Sequence, residues 1–274
     1  MALPYFTEIL ERAGVADIVA YIPGVGEGYS DHPLFVSPYR SSLAPEETLD
    51  ALAGGRLDPT QLLEENHKML GWNAMNLTCK FRPNDADTAA LGADFQHAWD
   101  RDFKTRPDKP LILMSLINAF PSVQVGLPIG QYMAVSAFSV YPYSRGYMHI
   151  TGAGLNDPVD FATGFLSDPN NLDLKKCAWA YKKQREIVCR MQNYRGEPLG
   201  PDVVDIEYSP EDDRVLEDWL RKNIATAVHG VENLKIADLS IPPQNVAANT
   251  CNTAMAIGER AADIFIRELG LPVQ

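Results

Sequence analysis

The run His229-Gly230-Val231-Glu232-Asn233-Leu234-Lys235-Ile236-Ala237-Asp238-Leu239-Ser240-Ile241-Pro242-Pro243 decides how the rest of the chain is read. The loop Gln244-Asn245-Val246-Ala247-Ala248-Asn249-Thr250 follows it, and then a segment through Ile257-Gly258-Glu259-Arg260-Ala261-Ala262-Asp263. Leu234–Ala237 reads as a short strand, ended by prolines that cannot donate to a sheet ladder. Thr250 or Asn252 caps a helix with Ala254, Ile257, Ala261, Ile264 and Phe265 on its apolar face, and Gly270 and Pro272 stop it. A polar loop feeding a capped helix offers free N–H groups and a positive dipole end to an anion or cofactor. An ordinary buried C-terminal helix has the same pattern.

These runs resemble the C-terminal signature of the glucose–methanol–choline (GMC) flavin oxidoreductases, in the alcohol-oxidase branch. The resemblance implies that Asp238 lies close to the flavin, that Thr250 assists there if FAD binds, and that Asn249 takes the family's His/Asn position beside the flavin ring. Two further runs carry the likeness. Pro23-Gly24-Val25-Gly26-Glu27-Gly28-Tyr29-Ser30-Asp31-His32-Pro33 is similar to the family's P-G-V-G-x-N-x-x-D-H-P, with Gly28 in place of Asn. Its glycines do not have dinucleotide or Walker spacing, and the resemblance makes His32 structural. Ser144-Arg145-Gly146 through Ile150-Thr151-Gly152, with Asp157-Pro158-Val159-Asp160-Phe161, resembles the substrate domain.

The expected fold is therefore α+β: an antiparallel sheet backed by helices, as in the GMC substrate domain. Residues 1–274 are read as a single such domain, with 1–33 the remnant of the flavin-domain connection and 229–274 the C-terminal motif. Strands are expected at Leu111–Ala119, Tyr132–Tyr141, Tyr147–Thr151 and Val159–Phe161 from β-favouring apolar runs between Gly/Pro turns. Helices are expected over Tyr5–Ala13, twice within 45–70, over 84–103, over Asp173–Met191, and from Ser209-Pro210 to about Ala225. Leu62, Leu63 and Met69 are expected to be buried. The lysines and arginines of the long helix are expected on a solvated face.

Length and charge bound the function. The chain has 274 residues and a formal net charge of −12, which disfavours nucleic acid and anionic membranes as partners. The four cysteines have no metal-ligand spacing, and no metal is expected. The sequence shows no transmembrane run and no signal-peptide pattern, so the expected location is cytoplasmic. The sequon Asn76-Leu77-Thr78 is read as chance.

Two departures from the family shape the functional expectation. No G-x-G-x-x-G followed by an acidic residue occurs in the sequence, so the usual grip on the ADP half of FAD is expected to be missing. The family's W-H-S-x-G-T-C-x-M segment carries its principal base, but here Ala225-Thr226-Ala227-Val228-His229 runs directly into Gly230. His229 stands either for that base or for the residue that normally precedes G-V-E-N-L. Asn249 can orient or donate but cannot act as the base. The leading expectation is thus a homologue repurposed for a cofactor-independent, non-redox step on a small organic substrate, such as isomerisation or cyclisation. Asn249 and His229 would be its catalytic candidates, and Tyr147, His149 and Asn252 its substrate contacts. The alternatives are an FAD-dependent alcohol oxidoreductase, or half of a split one, and a non-catalytic regulatory partner. A homodimer is expected through the face that the family covers with its flavin domain.

Overall fold

The computed structural model describes residues 3–14, 24–121, 126–154, 156–201 and 210–224. In chain order these form α1 (Leu3–Arg12), β1 (Glu27–Tyr29), β2 (Leu34–Ser41), α2 (Asp50–Ala53), α3 (Pro59–Glu64), β3 (Met75–Phe81), α4 (Asp85–Ala90), α5 (Ala93–Asp102), β4 (Ile112–Ile117), β5 (Gln131–Ser139), β6 (Gly146–His149), β7 (Asp160–Ala162), α6 (Leu172–Cys189) and α7 (Pro210–Asn223). Both sheets are antiparallel, with strand orders β1-β6-β7 and β2-β5-β4-β3. The α+β class expected from the sequence is the one observed. The chain divides into two compact units, Met1–His32 with Val140–Ser167 and Thr226–Gln274, and Pro33–Ser139 with Asp168–Ala225.

The larger unit is built on the four-stranded sheet. Phe35, Ser37 and Tyr39 point to one face, with Met133, Val135 and Ala137 of β5 directly opposite them. Helix α6 lies on that face. Gln184 Nε2 donates to Ser37 Oγ at 2.6 Å, and the Tyr181 and Phe35 rings stand 6.2 Å apart. Met133, Val135 and Ala137 are buried on this side; on the other, Tyr132 and Ala134 are buried and Ser136 and Phe138 half-buried. Alternation gives the sheet one helix-covered face and a second face that is more open around Val36, Ser136 and Phe138. Buried Asp50 ties the loops to this sheet: its carboxylate accepts from Phe120 N at 2.8 Å and Tyr132 N at 2.7 Å.

The smaller unit holds the P-G-V-G and S-R-G runs together. Gly26 sits at φ +82°, and a Cβ there would lie 2.4 Å from the Met148 carbonyl oxygen and 2.9 Å from His149 Cδ2. Only glycine lets this backbone approach β6 so closely. The register slips between Glu27 and Tyr29, and Gly28 occupies the slip at φ +70° with open space around it. That left-handed bulge position suits Gly or Asn, which explains the exchange against the family motif. Gly146 and Gly164 likewise permit close backbone contact, since a Cβ on either would lie 2.0 Å from a facing carbonyl oxygen.

Several local expectations need correction. The strands from Leu111 to Phe161 divide between the two sheets, and β1, β2 and β3 add to them. The 84–103 helix breaks into α4 and α5 at Gly92, whose φ of +91° cannot continue a helix. The 45–70 segment forms short pieces with Asp58 capping α3, and Asn66 at φ +46° ends the run. Leu62 and Met69 are buried as expected, but Leu63 is exposed. Lys176 is fully buried rather than solvated, held by Asp173 at 2.9 Å. The strand-like run Ala16–Tyr21 and the short strand read at Leu234–Ala237 lie outside the described residues.

Candidate functional site

Of the residues singled out from sequence, His229, Asp238, Asn249, Thr250 and Asn252 lie outside the described residues. Tyr147 and His149 are both placed, on β6. Alternation holds there: the two rings stack at 4.8 Å and 13°, while Met148 between them is exposed. His149 is buried, and its Nε2 lies 2.9 Å from Glu27 Oε1 on β1. A carboxylate on one imidazole nitrogen fixes the ring's orientation and tautomer. Tyr147, Glu27 and the close backbone of Gly26 enclose this ring, so the arrangement knits β1 to β6. His32 is placed in the same motif, where Asp31 accepts both from its backbone N–H (2.7 Å) and from Tyr29 Oη (3.0 Å). Burial, and then Asp31, push the Tyr29 phenol above its ordinary range.

The open face of the larger sheet carries a second set of polar groups that sequence reading did not single out. Thr78 of β3 pairs with Ser115 of β4, Ser115 pairs with Ser136 of β5, and Ser136 pairs with Val36 of β2. Directly opposed residues point to the same side. The rung therefore sets three hydroxyls in a row on the face away from α6. Thr78 Oγ1 and Ser115 Oγ lie 3.0 Å apart. The next rung is Leu34, Phe138, Leu113 and Lys80. Ala134 and Ile117 stand on the other side. Serine and threonine hydroxyls both donate and accept, so a row of them between apolar neighbours suits a small hydroxyl-bearing molecule. The signal for it was register, which a single sequence does not print.

A cleft of about 390 Å³ lies between α4, α6 and α7, over Trp179. Much of its charge is paired: Lys182 with Asp213, and Lys183 with Asp87 at 3.3 Å. It reads as a solvated, ion-paired groove. No group of His, Cys, Asp and Glu side chains suited to a metal occurs among the described residues. No described helix is long and apolar enough to cross a membrane.

Neither α6 nor α7 offers its N-terminus to the diphosphate of a flavin dinucleotide. The first amides of α6 are taken by Asp168, which accepts from Leu172 N at 2.5 Å and Asp173 N at 3.0 Å. Helix α7 opens on Glu211, Asp212 and Asp213, which repel an anion. The positions that the resemblance assigns to a flavin, Asp238 and Thr250, are among those not described.

The chain is a homologue of alcohol oxidases, its α+β fold is that of the GMC oxidoreductases, and it belongs to that family. It is 30% identical to the alcohol oxidase of Pichia angusta over 357 residues, and 29% identical to that of Candida boidinii over 355. Each match takes in 95% of this chain and 53% of the relative, so the chain spans about half the length of the curated relatives it matches. The fold is also that of a formate oxidase of Aspergillus oryzae, with a TM-score of 0.69 at 18% identity over 96% of this chain and 50% of that one. No family model matches the chain. The alcohol-oxidase matches run over more positions than this chain has residues, so some internal segments of the relatives have no counterpart here.

Proposed function

We propose that this chain supplies the substrate side of a GMC-type alcohol oxidoreductase, holding a small hydroxyl-bearing molecule on the open sheet face. The observation that carries this reading is the rung Thr78–Ser115–Ser136, on a fold shared with alcohol-oxidase homologues. Thr78 and Ser115 already form a hydroxyl pair, and a substrate hydroxyl would extend that chain of donors and acceptors. Leu113, Phe138 and Ile117 would exclude water around its carbon skeleton. FAD, when bound, would accept the hydride; Asp238 and Thr250 are the residues the resemblance assigns to it. Asn249 would orient the substrate oxygen, and His229 is the candidate base.

The test is to add FAD to the full chain, record the flavin absorption of the desalted protein, and measure peroxide release with a series of short alcohols. Retained flavin with turnover that falls at least about tenfold in Ser115→Val supports the reading, since losing one good hydrogen bond to a substrate is worth about that factor. Colourless protein without turnover sinks it.

A second reading is favoured by one observation, the direct junction of His229 to Gly230 where the family carries its base segment. On it, the same face serves a cofactor-independent step of isomerisation or cyclisation type, driven by positioning and hydrogen bonds. Colourless protein that binds a small hydroxylated ligand, with affinity lost in Ser115→Val, would select this reading over the first.

A further inference from the structure

Among the described residues, the two edges of the four-stranded sheet differ. The chain at 193–196 covers the C-terminal end of β2: Arg40 N donates to Gly196 O at 2.8 Å, Arg195 N to Arg40 O at 2.8 Å, and Ser42 N to Asn193 O at 2.9 Å. At the other side, β3 has no strand beyond it among the described residues. Met75, Asn76, Leu77 and Thr78 are all exposed, Leu77 at 54% and Met75 at 45%. Natural edge strands are blunted by short length, proline, charged side chains, bulges or a cover. The stretch Leu77–Phe81 has no proline and a single charge, Lys80.

We infer that β3 is an interaction edge for a second copy of this chain, paired antiparallel about a two-fold axis at Cys79. The register follows from the strand. Pairing slips between Met75 and Leu77, so only Leu77–Phe81 is regular enough to take a new neighbour. Centred on Cys79, Leu77 of each copy faces Phe81 of the other, Thr78 faces Lys80, and the two Cys79 side chains meet on the axis. Leu77, Cys79 and Phe81 share the α6 side of the sheet, as their partners Leu116, Met114 and Ile112 show. The apolar row therefore continues across the axis, and no like charges oppose each other. Charge argues for a copy of this chain at this place. The net charge of −12 makes two copies repel over most of their surface, but Met75–Phe81 carries no acid and one lysine. This edge is distinct from the open sheet face, and the inference does not depend on the functional reading above.

The test uses the full chain. Light scattering should give the mass of two chains, and Leu77→Lys should weaken association at least tenfold with an unchanged circular dichroism spectrum, since Leu77 is exposed. A mild thiol oxidant should link two chains through Cys79, a free cysteine in the structure, and Cys79→Ser should abolish the link. A monomer at every concentration overturns the inference. So does a dimer that ignores Leu77→Lys and forms no Cys79 link, because its interface is then elsewhere.

Discussion

Asp173→Ala should be among the most damaging single changes in the larger unit. Asp173 and Lys176 are both fully buried within α6, with Nζ 2.9 Å from Oδ1. Burial holds the Lys176 ammonium below the usual lysine range, and Asp173 offsets this only in part. Removing Asp173 takes the nearest carboxylate from a cation that has no exposure to water. Breaking such a pair from one side costs about 3–5 kcal/mol, against a typical domain stability of about 5–15 kcal/mol. Lys176→Met strands the carboxylate and should cost a similar amount. The double variant Asp173→Leu/Lys176→Met removes both charges and fills the space, so it should cost well under the sum of the singles. Urea unfolding followed by tryptophan fluorescence reports on this region, because Trp179 lies on the same helix. If either single change costs under about 1 kcal/mol, or if the costs simply add, the pair does not do what its burial implies.

Further outcomes follow from the same structure. Gly26→Ala should destabilise by about 2 kcal/mol or more, because it adds left-handed strain to a clash with the Met148 carbonyl, while Gly28→Asn should be nearly neutral; thermal melts check both. Tyr29 should ionise above the ordinary tyrosine value of 10.0, and Asp31→Asn should bring it down in an ultraviolet titration. Because the folded pKa is the raised one, the stability this phenol contributes is fully present below about pH 10 and is lost as pH rises beyond it.

The helices show where local sequence was sufficient and where it was not. Helix α6 was legible because its apolar spacing is long and regular, yet the same spacing gave no warning that Lys176 points inward, which depends on Asp173 and the ring of Phe103 5.9 Å away. The split between α4 and α5 was marked by Gly92, but a glycine breaks a helix only where the chain must turn. Strand β2 was hidden by Pro38, which is acceptable because β2 is an edge strand in its own sheet. Strand β3 lacks a clear alternation and is exposed, so nothing in its pattern announced a sheet.

The sequence by itself determined the family and the α+β class, because long motifs such as G-V-E-N-L-K-I-A-D-L-S-I-P-P and P-G-V-G record positions where only certain residues serve. Gly26 and Gly146 fall within such motifs, and the structure supplies the reason in close backbone contact. Only the tertiary structure decided that Tyr147 and His149 stand in a different sheet from β4 and β5, that Thr78, Ser115 and Ser136 share one rung, and that β3 is an edge among the described residues. Those facts are matters of strand register and neighbour, set by contacts between residues far apart in the chain. No local pattern encodes them.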